Sequence, residues 1–104
     1  MKEPLVSIII PVYNRIDSFI RALDSALDQS YQNIEIIIID DGSVDDIKSI
    51  VEYKKNISQF PILYHWQDNS GPGVARRNGL TLANGEFIQY LDADDTISPN
   101  KIEK

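Results

Sequence analysis

The chain has 104 residues and a mass of 11.8 kDa, enough for one hydrophobic core and not two. Its 42% apolar and 25% charged residues are those of a globular domain and exclude a disordered tail. A net charge of −6 argues against a nucleic-acid partner, and the absence of cysteine excludes disulfides, thiolate metal sites and a cysteine nucleophile.

The first apolar run, Val6 to Ile10, is nearly continuous, as is the second, Ile34 to Ile39. Strands apolar on both faces belong inside a parallel sheet covered by helices. Between them, Ile16, Phe19, Ile20, Leu23 and Leu27 repeat at helical spacing. Asn14 is the expected N-cap of that helix, which reads as Asn14 to Gln29. A second helix is expected from Asp45, carrying Ile47, Ile50 and Val51, and ending before Pro61. Two mixed runs follow, Ile62 to Trp66 and Phe87 to Leu91, suited to the edges of a sheet. A helix from Val74 to Ala83 lies between them, stopped by Asn84-Gly85. Pro99 reads as the first turn of a fourth helix, cut short at Lys104 as in a piece of a longer protein. The alternation predicts an α/β fold with a mainly parallel sheet and flanking helices.

Ligands of open α/β sheets bind beyond the carboxyl ends of the strands. Those positions hold Pro11-Val12-Tyr13-Asn14, Asp40-Asp41-Gly42-Ser43, Gln67 to Gly73, and Asp92-Ala93-Asp94-Asp95. Five acids therefore gather on one edge, where their repulsion calls for a hard divalent cation such as Mg²⁺ or Mn²⁺. Any one such loop is explained by the turn chemistry of Asp and Gly. Two on the same edge favour a ligand site. Tyr13 suits stacking on a base or covering the sheet end. His65 reads as a packing or surface residue, and Trp66 as core or helix packing.

In order along the chain, Val6 to Asn14, Ala26-Leu27-Asp28-Gln29, Asp40 to Ser43, Gly71 to Arg77, and Gly85 to Asp95 together resemble family 2 glycosyltransferases. The resemblance covers nearly the whole chain. It implies the GT-A fold, with this chain as its Rossmann-like half, binding a nucleotide diphosphate sugar with Mn²⁺ or Mg²⁺. The implied activity is metal-dependent, inverting transfer of a sugar, from a UDP-linked donor, to an acceptor hydroxyl on a saccharide or lipid-linked acceptor. By the same resemblance Pro11, Val12 and Tyr13 would line the base pocket, and Asp41 and Asp40 would accept hydrogen bonds from the base. Asp92 would contact the ribose side, with Ala93 between it and Asp94. Asp94, with Asp92, would hold the metal, and Arg76 would steady the loop or the diphosphate. Where many members carry Ala-Arg-Asn, this chain has Ala75-Arg76-Arg77.

The acceptor half and the catalytic base are expected beyond Lys104, so the chain alone is expected to bind donor without transferring sugar. An apolar face left open by the cut helix would favour self-association. A phosphoacceptor signalling domain is the alternative, but it wants a strand-end lysine, and none of the four strands is followed by one. A non-catalytic nucleotide-binding module is the other. No apolar run approaches the ~20 residues of a spanning helix, and Met1-Lys2-Glu3-Pro4 does not open a signal peptide. The expected location is cytoplasmic, with a parent that could lie against the inner face of a membrane.

Overall fold

A computed structural model describes residues 3–102. Val6–Val12 forms β1, Ile34–Asp41 β2, Ile62–Gln67 β3 and Phe87–Tyr90 β4; α1 (Ile16–Leu27), α2 (Ile47–Ile57) and α3 (Pro72–Leu82) connect them. The strands lie in the order β3-β2-β1-β4, and every pairing is parallel. The two isoleucine-rich runs take the central places and the two mixed runs the edges. Ile8, Ile9, Ile10, Ile36, Ile38 and Ile39 have no exposed surface.

Strand alternation sends neighbouring side chains to opposite faces. Ile8, Ile10, Ile36 and Ile38 pack with Phe19 and Leu23 of α1 and Ile47 and Val51 of α2. Ile9, Ile37 and Ile39 pack against Ala75 of α3. Connection direction explains this division. The chain steps from β1 to β2 to β3 in one sense, then returns past both to set β4 beside β1. Right-handed crossovers of opposite sense place their helices on opposite faces.

Small residues let α3 approach the sheet closely. A Cβ added at Gly79 would collide with Ile9 Cγ2 and lie 3.4 Å from Ile39 Cγ1. After β4 the chain folds back onto α1 through Gln29, which is buried. Gln29 Nε2 donates to the Ser98 carbonyl (2.7 Å), Oε1 accepts from Ile102 N (3.2 Å), and Ser30 N donates to the Pro99 carbonyl (2.7 Å). These bonds fix the far end of the loop that carries Asp92 to Asp95. Among the described residues no helix is long and apolar enough to cross a membrane.

Several local expectations are corrected. Asn14 does not cap α1. Arg15 stands at that position, in the left-handed region and with no side-chain cap bond, because Asn14 bonds across to the next loop. Asp46 caps α2, its carboxylate accepting from Ser49 N at 3.1 Å. α3 begins earlier than its apolar pattern suggested, at Pro72, since proline suits the first turn. Residues 99–102 form turns in place of a helix, closed by Lys101 N to Ser98 O (3.0 Å). Glu103 and Lys104 lie outside the described residues. Trp66 is half exposed, because β3 is an edge strand.

Gly79→Val should lower the free energy of unfolding by about 1–3 kcal/mol, the usual result of overpacking a tight contact. Urea titration followed by circular dichroism measures it. An unchanged midpoint would mean that α3 does not rest on Ile9 as described.

Candidate functional site

The order β3-β2-β1-β4 places its reversal between β1 and β4, and a crevice opens outside the carboxyl ends at such a point. A cleft of about 370 Å³ lies there, lined by Pro11, Val12, Tyr13, Arg15, Asp41, Pro72, Ala75, Asp92, Ala93 and Asp94. That volume suits a small ligand. Of the expected site residues, all but Asp40 and Arg76 reach this wall.

Adjacent residues of a strand point to opposite faces, so Asp40 and Asp41 do different things. Asp40 turns toward α2. Its Oδ1 accepts from Ser43 N (2.9 Å) and its Oδ2 from the Tyr64 hydroxyl (2.5 Å). Burial, with the neighbouring Asp40 carboxylate, pushes the Tyr64 phenol well above its ordinary pKa, so it remains a donor. Asp40 thus closes the loop behind β2 and does not line the cleft.

Asp41 turns toward α3 and is buried. Its Oδ1 accepts from Gln67 Nε2 (2.9 Å) and Ser70 N (2.7 Å). Its Oδ2 accepts from Gly71 N (3.0 Å) and Asn69 Nδ2 (3.2 Å). A carboxylate offers about four lone-pair sites, and here each has a donor. The expected bond from a base would have to replace one of these. Asn78 Nδ2 extends the network by donating to Gln67 Oε1 (2.6 Å). One carboxylate thereby gathers β2, β3 and the entry to α3, and sets Pro72 at the cleft wall. Gly42 makes the approach possible: its φ is +75°, and a Cβ there would lie 2.8 Å from Asn69 N.

On the other wall, Asn14 and Arg15 are both left-handed, with φ of 56° and 59°. Non-glycine residues enter that region at a cost of roughly 1–2 kcal/mol each. The conformation is held by a clamp. Asn14 N donates to Ser43 Oγ (2.7 Å), and Asn14 Oδ1 accepts from Val44 N (2.8 Å) and Asp45 N (3.1 Å). Tyr13 and Arg15 are thereby presented at the mouth, with Tyr13 51% exposed.

The acidic wall follows β4. A turn from Asp95 N to Asp92 O (2.9 Å) folds the loop back on itself. Asp92, Asp94 and Asp95 each offer a carboxylate oxygen, all within 4.8 Å of one another and exposed. An all-oxygen donor set of this kind suits Mg²⁺ or Mn²⁺. Two arginines stand against it: Arg76 Nη2 lies 3.0 Å from Asp92 Oδ1, and Arg15 Nη1 lies 3.7 Å from Asp94 Oδ2. Arg76, not Arg77, is therefore the basic residue of the Ala75-Arg76-Arg77 segment that meets the acids, though it stands behind Asp92 and outside the cleft lining.

Sequence reasoning missed Arg15, Pro72 and Ala75 as wall residues, and it counted Asp95 among the clustered acids without assigning it to the cation. The signal for Arg15 was present. It follows an Asn, a residue that tolerates left-handed backbone, directly after a strand end.

Comparison with known proteins bears on this site. A profile described as Glycosyl transferase family 2 matches residues 7–104. The chain is 38% identical to a putative teichuronic acid biosynthesis glycosyltransferase, TuaG, of Bacillus subtilis, over 98% of this chain and 40% of that protein. Its fold matches S. aureus TarS 1-349 in complex with UDP-GlcNAc, with a TM-score of 0.88 and 31% identity over 95% of this chain and 29% of that one. It also matches the mannosyltransferase PcManGT from Pyrobaculum calidifontis in complex with GDP-Man and Mn²⁺, with a TM-score of 0.84 and 25% identity over 91% of this chain and 29% of that one. The chain spans 15% and 42% of the length of two curated relatives that it matches across 99% and 100% of itself.

Asp41→Ala removes the shared acceptor of four donors, one of them on buried Gln67, and should cost about 2–3 kcal/mol of stability. Urea unfolding with amide hydrogen exchange reads both consequences: a lower midpoint, and faster exchange at Ser70 and Gly71. Unchanged exchange at those two amides would show that the carboxylate does not hold the loop.

Proposed function

Because the chain belongs to glycosyl transferase family 2, we propose that its β1/β4 cleft binds a nucleoside diphosphate sugar, the donor in transfer of a sugar to a hydroxyl. The observation that carries this is the meeting of Pro11, Val12, Tyr13, Asp41, Asp92, Ala93 and Asp94 on one cleft at the reversal of strand order. Similarity to TarS with UDP-GlcNAc supports a uridine diphosphate donor. Similarity to PcManGT with GDP-Man gives guanosine diphosphate as the second reading.

The roles follow from the walls. Pro11 and Val12 form a buried apolar floor, and Tyr13 offers an exposed ring for a base to stack on. Asp41 holds the 69–71 segment and so sets Pro72 on the opposite wall. Asp92, Asp94 and Asp95 would hold a divalent cation, which when bound neutralises charge building on the leaving diphosphate. Arg76 fixes Asp92, so that one of these carboxylates faces the others from a set position. In the transfer, the acceptor oxygen forms a bond to the anomeric carbon as the bond to the diphosphate oxygen breaks, with inversion. The acceptor is a saccharide or lipid-linked hydroxyl. We assign no base among these residues. The acceptor proton would pass to a carboxylate outside these residues, and this chain would contribute the donor site.

Calorimetry on this chain tests the reading. Uridine diphosphate should bind more tightly with Mn²⁺ than without it. Asp94→Ala should reduce the affinity roughly tenfold with Mn²⁺ while leaving the metal-free value unchanged, since losing a ligand matters only when metal is present. Equal affinity with and without Mn²⁺ would overturn the cation's role. Preference for guanosine diphosphate would select the second reading.

A further inference from the structure

We propose that Arg15 is a counter-ion switch: it occupies Asp94 while the cleft is empty and turns to the donor's diphosphate when a divalent cation takes that carboxylate. The inference rests on the donor-site reading above and concerns a residue to which that reading gives no role.

Three observations converge on Arg15. Its guanidinium lies 3.7 Å from Asp94 Oδ2, bridging the loop after β1 to the loop after β4 across the mouth. It lines the cleft together with Tyr13, Asp92 and Asp94. Its backbone is left-handed and follows Asn14, whose three bonds to residues 43–45 hold the turn. A strained turn clamped this firmly sets the origin of the side chain and leaves its far end free, and that side chain is 71% exposed.

The charge arrangement then dictates the exchange. With no ligand, three carboxylates crowd within 4.8 Å, and two arginines relieve their repulsion. A divalent cation at those oxygens competes directly with both guanidinium groups. Arg76 is only 40% exposed, but Arg15 stands at the open mouth and is free to leave. A diphosphate arriving beside the cation restores a partner for it, and guanidinium suits phosphate oxygens through its paired donors.

The consequence is a reversal of sign that a purely structural arginine would not produce. Removing the Arg15 charge should help a cation that binds alone and hinder a diphosphate that binds with the cation. A ligand without phosphates should be indifferent.

The experiment is calorimetry of this chain and its Arg15→Gln and Arg15→Lys variants with Mn²⁺ alone, uridine diphosphate with Mn²⁺, and uridine alone. For Arg15→Gln we expect Mn²⁺ affinity to rise about 3- to 10-fold, the scale of one exposed charge acting on a divalent ion. Affinity for uridine diphosphate with Mn²⁺ should fall by a similar factor, and that for uridine should stay within twofold. Arg15→Lys should return both affinities most of the way. Thermal unfolding checks that the variants are folded; a variant that has lost its fold is replaced by Arg15→Asn, which suits the left-handed backbone and removes the same charge. If the unaltered chain binds uridine diphosphate and Mn²⁺ but Arg15→Gln shifts both affinities in the same direction, or neither, the switch is overturned and the donor site stands. If the unaltered chain binds neither, both readings fall.

Discussion

The return of the chain from β3 to a place beside β1 is the constraint on which everything else depends. It forces α3 onto the face opposite α1 and α2, and it opens the only reversal of strand order among the described residues. Two loops that are 78 residues apart in sequence, after Val12 and after Tyr90, are brought to either side of one cleft. Close packing makes the return possible: Ala75 and Gly79 let α3 rest closely against the side chains of Ile9 and Ile39.

Electrostatics then shapes what the topology positions. The two adjacent aspartates of β2 are both buried, yet neither is an open ligand group. Asp40 serves the loop behind the strand, and Asp41 collects donors from β3 and the entry to α3. Buried carboxylates survive in a core when hydrogen bonds replace lost water. The acids after β4 have the reverse character, exposed and close together, with arginines as counter-ions. The same residue type therefore builds a buried, fully bonded wall on one side and an exposed, charged wall on the other.

Most of the architecture was legible in the sequence because it rests on periodicity. Continuous isoleucine runs marked the central strands, mixed runs the edges, and the α/β alternation marked the parallel sheet. The family resemblance read from five motifs agrees with the profile match and with the GT-A neighbours, which sets the phosphoacceptor alternative aside. The site was legible as a set of residues but not as a set of roles. Strand parity alone would have separated Asp40 from Asp41, given which face each helix covers, and that depends on topology. Arg15 and Asn14 escaped because their importance lies in backbone conformation and cross-loop bonds. The turns at 99–102 replaced an expected helix because Gln29, far away in sequence, offers their backbone groups competing partners.

The central claim is that the cleft between β1 and β4 is where a nucleoside diphosphate and its cation meet this chain. A crystal structure of the chain soaked with uridine diphosphate and Mn²⁺, with anomalous scattering used to locate the metal, tests it most directly. The account predicts one manganese peak among Asp92, Asp94 and Asp95, the base against Tyr13, and the Arg15 guanidinium moved from Asp94 to the diphosphate. Nucleotide density anywhere outside this cleft would contradict it.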